Sequence, residues 1–314
     1  MRRVCSLGLA LIVLITPAAG RDIYVSNTAG DDSFTGLQSK NVADRSGPVR
    51  TIARALQLGQ SGDRIVLTKT GEPYRESVSL VGSRHSGYPH QAFVIDGNDA
   101  ILDGSAPVPP EAWEHYRGAV FRFRPPKMGP QQLFIDDIPA ERAIVDPTSG
   151  ALPELQSRQW FFYAGYIYFC VERNKLPEDY RFTCAKLATG ITLFHVRGVG
   201  IVNLTVQGFQ VDGINAHNSA REVYLGRVTA RGNGRAGVAV GGASQVEIDV
   251  SLIGNNGEAQ VLTFPHSETV IRNSNVFSNP APAWLDRGGR FFLGNQRVEG
   301  GIADRDVTAD KPAP

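Results

Sequence analysis

Between Phe194 and Phe264 the chain carries side chains able to move protons and to hold an anion. Asp212, His217 and Glu258 are acid–base types, and Arg235 is a cation that can neutralise a carboxylate or, as a base, remove a proton. Asn215 adds an amide, and Phe194 and Phe264 add flat apolar faces. The plainer reading is a surface Arg–Glu pair worth well under ~1 kcal/mol beside a solvated His, and exposed ion pairs are the commoner case. The choice depends on whether the fold gathers these residues in one cleft.

The elements that must position them form a repeat. Val199, Val223, Val246 and Val270 recur at steps of 24, 23 and 24 residues, and each opens a short apolar run. A polar or Gly corner follows at Asn203, Gly226, Asp249 and Asn273, then a second run such as Leu204–Val206 or Val276-Phe277. A third strand starts at Gly190, Gly213, Gly237 and Gln260. Three short strands per 23–24 residues, divided by tight corners, describe one coil of a parallel β-helix, a solenoid whose coils bury their apolar faces only by stacking. A sandwich or propeller would show longer alternating strands and hairpin turns. In this register Val211, Arg235 and Glu258 are equivalent, so Arg235 and Glu258 should lie about one coil spacing, ~5 Å, apart. Thr192, Asn215, Ala239 and Leu262 should face outward, with Phe194, His217, Gly241 and Phe264 two positions on.

The rest of the chain divides around these coils. Residues 1–20 combine Arg2-Arg3, an apolar run from Leu7 to Ile15 and small residues, which is the pattern of a secretory signal peptide. Residues 21–106 read as an N-terminal cap and first coils, with a short helix near Thr51–Leu56 plugging the open end of the stack. Residues 107–189 interrupt the repeat with aromatic-rich antiparallel strands, an inserted β subdomain whose aromatics are read as its core. Residues 190–297 are the late coils, and 298–314 a polar, disordered tail. With export to a secreted or periplasmic, oxidising location, Cys170 and Cys184 are expected to form a disulfide, worth up to ~3 kcal/mol by chain entropy.

Composition limits the partners. The 314 residues carry 32 Lys+Arg against 31 Asp+Glu, a formal charge of +1, and loss of Arg2 and Arg3 with the leader gives −1. That balance argues against a global grip on nucleic acid or on an anionic membrane. Three Cys exclude a disulfide-dense scaffold, and no C-x-x-C spacing suggests zinc. Asp31, Asp32 and Asp63 read as turn organisers rather than calcium ligands, although Gly30-Asp31-Asp32 has ligand types. A monomer without a membrane span after leader removal is expected.

With the repeat in place, the chain resembles the right-handed parallel β-helix proteins of the pectate-lyase-like superfamily. Ile23-Tyr-Val-Ser26, Gly30-Asp-Asp32, Thr51-Ile52 with Ala55-Leu56, and Gly62-Asp-Arg-Ile-Val-Leu67 are similar to the opening of secreted members. The resemblance covers roughly 22–104 and 190–290 and implies the all-β fold more than any chemistry. It implies a polysaccharide partner, with the strand after the Gly-rich turn flooring the groove. Hydrolases of this fold use clustered Asp and a Gly-His-Gly motif, which the late coils lack. Lyases use a Lys or Arg base, often with calcium, which makes calcium the cofactor the resemblance would bring. No Lys lies between Lys186 and Lys311, so only an Arg base is left there. The expectation is a groove for an acidic polysaccharide, with β-elimination as the reaction: Asp212, His217, Arg235 and Glu258 catalytic, and Phe194, Asn215 and Phe264 binding. A non-catalytic carbohydrate-binding or cell-envelope structural protein on the same scaffold is the alternative.

Overall fold

A computed structural model describes residues 20–43, 45–144 and 150–299. The expected leader, apart from Gly20, and the tail from residue 300 lie outside the described residues. The described chain is built mainly of strands, with one short α-helix, Ile52–Leu58. Its strands form a twelve-stranded sheet, a six-stranded sheet and two four-stranded sheets.

The two large sheets are made by coil-on-coil pairing. Val199 pairs with Val223 and Val223 with Val246 in parallel register. Ile191, Ile214, Val238, Val261 and Trp284 pair likewise along the six-stranded sheet. One expectation needs correction: Thr269, not Val270, lies beside Val246, so this step is 23 residues. Val270 faces outward and pairs with Glu247. The alternation of buried and exposed positions shows why a Val one place off misled the alignment: Thr269 and Ile271 hold the inward positions. Thr269 is fully buried, and its hydroxyl has no hydrogen-bond partner among the described residues. A fifth coil, Trp284–Asp286 and Arg290–Leu293, extends the array, and its last strand, Gln296–Val298, folds back antiparallel. Trp284 and Phe291 stack at 4.1 Å inside this last coil.

One contiguous apolar core runs from Ile23 to Phe291 through the stacked coils. The corners use the left-handed region at Asn203, Arg227, Val250 and Asn273 (φ 54°, 52°, 49° and 44°). In the second and third coils the bend therefore falls one residue after Gly226 and Asp249. Buried polar ladders hold the turns. The Phe209 N–H donates to Asn233 Oδ1 at 3.2 Å, and the Asn233 N–H to Asn256 Oδ1 at 3.0 Å. The Val228 N–H donates to Ser251 Oγ, and the Ser251 N–H to Ser274 Oγ, each at 3.0 Å. Each bond satisfies a turn amide that the strands cannot reach.

At the N-terminal end, Thr51 Oγ1 accepts from the Arg54 N–H, and Glu76 accepts from the N–H groups of Ile52 and Ala53. These bonds satisfy the orphan donors of the first turn. The helix then buries Ile52, Ala55 and Leu56 against the first strands. His85 sits beside it: the Val81 N–H donates to Nδ1 at 2.9 Å, and Nε2 lies 3.0 Å from the Leu56 carbonyl. The ring is therefore a neutral Nε2–H tautomer, and burial holds its pKa below the usual histidine value.

Residues 107–185 contribute strands to the two antiparallel sheets, one of Trp160–Tyr163, Tyr166–Cys170, Val120–Phe123 and Glu114–Arg117, the other of Ser105–Pro107, Phe182–Ala185, Leu133–Ile135 and Ile138–Pro139. Trp160, Phe169, Phe123 and Phe182 are buried together in a core of their own. The expected disulfide is absent. Cys170 and Cys184 are both free, buried thiols. They belong to different sheets and to different apolar clusters, so the two strands that carry them have no shared edge at which sulfurs could meet. Burial raises both thiol pKa values, that of Cys184 to about 11.

Candidate functional site

The outer face of the six-stranded sheet is where the coil repeat brings chemistry-bearing residues together. Inward positions Ile191, Leu193, Ile214, Ala216, Val238, Val240 and Val261 are fully buried. Period-two alternation therefore turns Thr192 and Phe194, and Asn215 and His217, outward. Across the coils, Ser79, Thr192, Asn215, Ala239, Leu262 and Leu285 form one outward row. The next row holds Val81, Phe194 and His217, and continues one residue past the strand ends with Gly241, Phe264 and Arg287.

Asp212 opens its strand and is fully buried, a costly place for a carboxylate. Arg235 compensates from the next coil: Nε donates to Oδ1 at 2.9 Å and Nη2 to Oδ2 at 2.6 Å. Asn215, three residues along the strand, donates Nδ2 to Oδ2 at 2.7 Å. This two-pronged geometry is the strong form of an arginine–carboxylate contact. The hydrogen bonds that Arg235 donates to Asp212 raise the Arg235 pKa above its ordinary value. The contact fixes the Arg235 guanidinium against Asp212. Its Nη1 group is not engaged by Asp212 and is free to donate to a ligand.

Glu258 stacks on Arg235 as its spacing implies, its N–H donating to the Arg235 carbonyl at 2.8 Å. Its carboxylate, however, pairs with Arg287 of the fifth coil. The expected Arg235–Glu258 pair is thus replaced by two pairs in sequence, Asp212 with Arg235 and Glu258 with Arg287. Phe264 lies between them, its ring centroid 6.0 Å from each guanidinium carbon. Gly241 makes this placement possible: a Cβ there would come within 3.1 Å of Phe264 Cβ. Under the ring, Ala236, Ala239, Ala259 and Leu262 form an apolar cluster separate from the coil interior.

The remaining candidates lie further along the row. His217 packs against Phe194 at 5.2 Å, and His195 meets the other side of Phe194 at 4.3 Å. The structure thus places Asp212, Asn215, Arg235, Glu258 and Phe264 in one charged group, and His217 with Phe194 in a second, His217 standing on the same strand as Asp212 and Asn215 but two coils from Phe264. Arg287 is the residue the sequence reading missed. Its signal was present: His217, Gly241, Phe264 and Arg287 follow at 24, 23 and 23 residues.

Asp31, Asp32 and Asp63 are engaged in hydrogen bonds that organise turns. The Asp32 carboxylate accepts from the N–H groups of Arg50 and Thr51 and from the Thr51 hydroxyl. Asp63 accepts from Arg21 and Gln60, and Asp31 from Ser33. Among the described residues no group of three or more His, Cys, Asp or Glu could hold a metal ion.

Comparison with known proteins reports the fold. Residues 189–295 match the family model described as a right handed beta helix region. No curated protein matches the sequence. Among solved structures, the complex of XylC with xylose is 10% identical over 85% of this chain and 67% of that chain, with a TM-score of 0.41. The GH136 lacto-N-biosidase from Eubacterium ramulus is 11% identical over 81% of this chain, with a TM-score of 0.38. The chain spans 45% of that enzyme's length. Residues 189–295 thus match a right handed beta helix region, in keeping with the parallel strands described above.

Proposed function

We propose that the protein is an exported, secreted or periplasmic β-helix protein that holds an acidic polysaccharide along the outer face of the six-stranded sheet. The carrying observation is the paired arrangement Asp212–Arg235 and Glu258–Arg287 around Phe264. Two guanidinium groups oriented by carboxylates, beside a half-buried aromatic ring, suit a chain that alternates carboxylates with apolar sugar faces. The near-neutral net charge fits a few local arginines rather than a general polyanion surface. In this reading the coils form a solenoid of the pectate-lyase-like type, the helix Ile52–Leu58 caps its first coil, and 107–189 is a subdomain bordering the groove.

Recognition without bond cleavage is the reading we place first, because Nε and Nη2 of Arg235 are both committed to Asp212. β-Elimination is the second reading, and the observation behind it is His217, an outward imidazole in the same row as Phe264. The test is to titrate the purified protein with pectate, alginate and glycosaminoglycans while following ultraviolet absorbance of an unsaturated product. Binding to a polyuronate without absorbance supports recognition. Absorbance that disappears in His217→Ala establishes the lyase. Absence of binding to every uronate polymer refutes both.

A further inference from the structure

The antiparallel strands and the late coils enclose a cavity of about 220 Å³ that no residue of the row above enters. Gln132, Glu141 and Arg142 line it from one side, and Asn255, Gly257 and Asn279 from the turns of the coils. Arg142 is the unusual group. Its guanidinium lies over the rings of Trp160 and Phe161 at 5.1 and 5.8 Å, and Nη1 donates to the Gly257 carbonyl at 3.2 Å. Among the described residues no carboxylate pairs with it. Burial lowers its pKa. Every other guanidinium discussed above faces an acid.

A largely desolvated cation at the wall of a polar cavity calls for an anion. Among the described residues the acid lining the cavity is Glu141, which is exposed and whose Oε1 accepts from Gln159 at 2.6 Å. The remaining guanidinium N–H groups form a planar fork that matches a carboxylate. The amides of Gln132 and Asn255 and the rim carboxylate of Glu141 supply donors and acceptors suited to hydroxyls. Glu141 also disfavours a doubly charged anion such as a phosphate. The combination fits one ring bearing both a carboxylate and hydroxyl groups.

We propose that this cavity binds a single uronate residue, its carboxylate on Arg142. The cavity chemistry stands on its own residues; its role as a side subsite of the groove rests on the function proposed above. The two regions meet at one turn, since Gly257 lines the cavity and the next residue, Glu258, belongs to the paired row.

The experiment is a calorimetric titration of the full chain with free glucuronate and, separately, glucose. Glucuronate should bind at least ten-fold more tightly than glucose, and Arg142→Gln should remove that ten-fold preference. Arg142→Lys keeps the charge without the fork and should retain only part of it. Should Arg142→Gln fail to fold, Asn255→Gly, which suits the φ of +57° there, should weaken glucuronate binding several-fold. Equal binding of the two sugars, or a preference unchanged in the folded variants, would overturn the proposal. Polymer binding that survives Arg142→Gln in full would leave the groove intact and refute the subsite. Glucuronate binding without polymer binding would refute the groove and leave the cavity.

Discussion

Replacing Arg235 tests whether the Asp212 pair is structural support or a dispensable surface contact. Asp212 is fully buried, and the Arg235 side chain is 26% exposed. Arg235→Met keeps the aliphatic stem over the apolar cluster but leaves the carboxylate with only the Asn215 amide. Removing one member of a buried pair costs about 3–5 kcal/mol. The partial exposure of Arg235 places the expected loss near the lower end, about 3 kcal/mol. Arg287→Met is the matched control, because Arg287 and Glu258 are 47% and 38% exposed and such pairs are worth about 0–1 kcal/mol. The assay is the urea midpoint of each variant at constant slope. Asp212→Leu combined with Arg235→Met should recover most of the loss, giving a coupling energy of about 2 kcal/mol or more. If Arg235→Met costs no more than Arg287→Met, the pair carries no structural weight and the argument for its orientation fails.

Four further outcomes follow from individual residues. Thr269→Val should stabilise the protein by about 1 kcal/mol in urea, since it removes an unpaired buried hydroxyl at nearly constant volume; a lower midpoint would show that the hydroxyl has a partner. Val250→Asn should also gain about 1 kcal/mol, because valine tolerates its φ of 49° poorly and the site is exposed. Cys170 and Cys184 should both react with a thiol reagent after unfolding without reductant, and Cys184, with its pKa near 11, should be almost inert at pH 8 in the native state. Because the His85 pKa is lowered on folding, its neutral form stabilises above the unfolded value of about 6.5. That contribution should fall as pH drops below this value, and His85→Gln should flatten the dependence.

The repeat was readable because inward Val, Ile and Leu recur at a fixed step, and the parallel pairing of five coils follows from it. The error at Val270 marks the limit of that signal. A polar Thr269 took an inward place and an apolar neighbour took the outward one, so hydropathy pointed to the wrong residue. The stacking of Arg235 and Glu258 was legible from spacing alone, whereas their partners were not. Asp212 was chosen as an acid and Arg287 was not chosen at all, because pairing depends on side-chain reach between coils rather than on register. The cysteines illustrate a different gap. Two thiols in a chain read as exported suggested a bridge, but the antiparallel strands carry them into separate cores. Arg142 had no sequence signal, since its isolation is defined only by the residues the fold leaves around it.

The turn ladders give the molecule a direction. In the Asn233–Asn256 and Ser251–Ser274 ladders, a backbone N–H of one coil donates to a side chain of the coil that follows it in sequence. In these ladders each turn amide depends on the C-terminal neighbour, while the amides beside it, such as those of Gly234 and Gly257, donate back to the preceding coil. Trimming coils from the C-terminal end strands the ladder amide of the new last coil, while trimming from the other end frees the ladder side-chain acceptor and strands the neighbouring amides that donate backward. During synthesis the order is the same: a coil emerging from the ribosome has its turn completed by the next one made. The direction lies in the side-chain ladders, which are completed from behind.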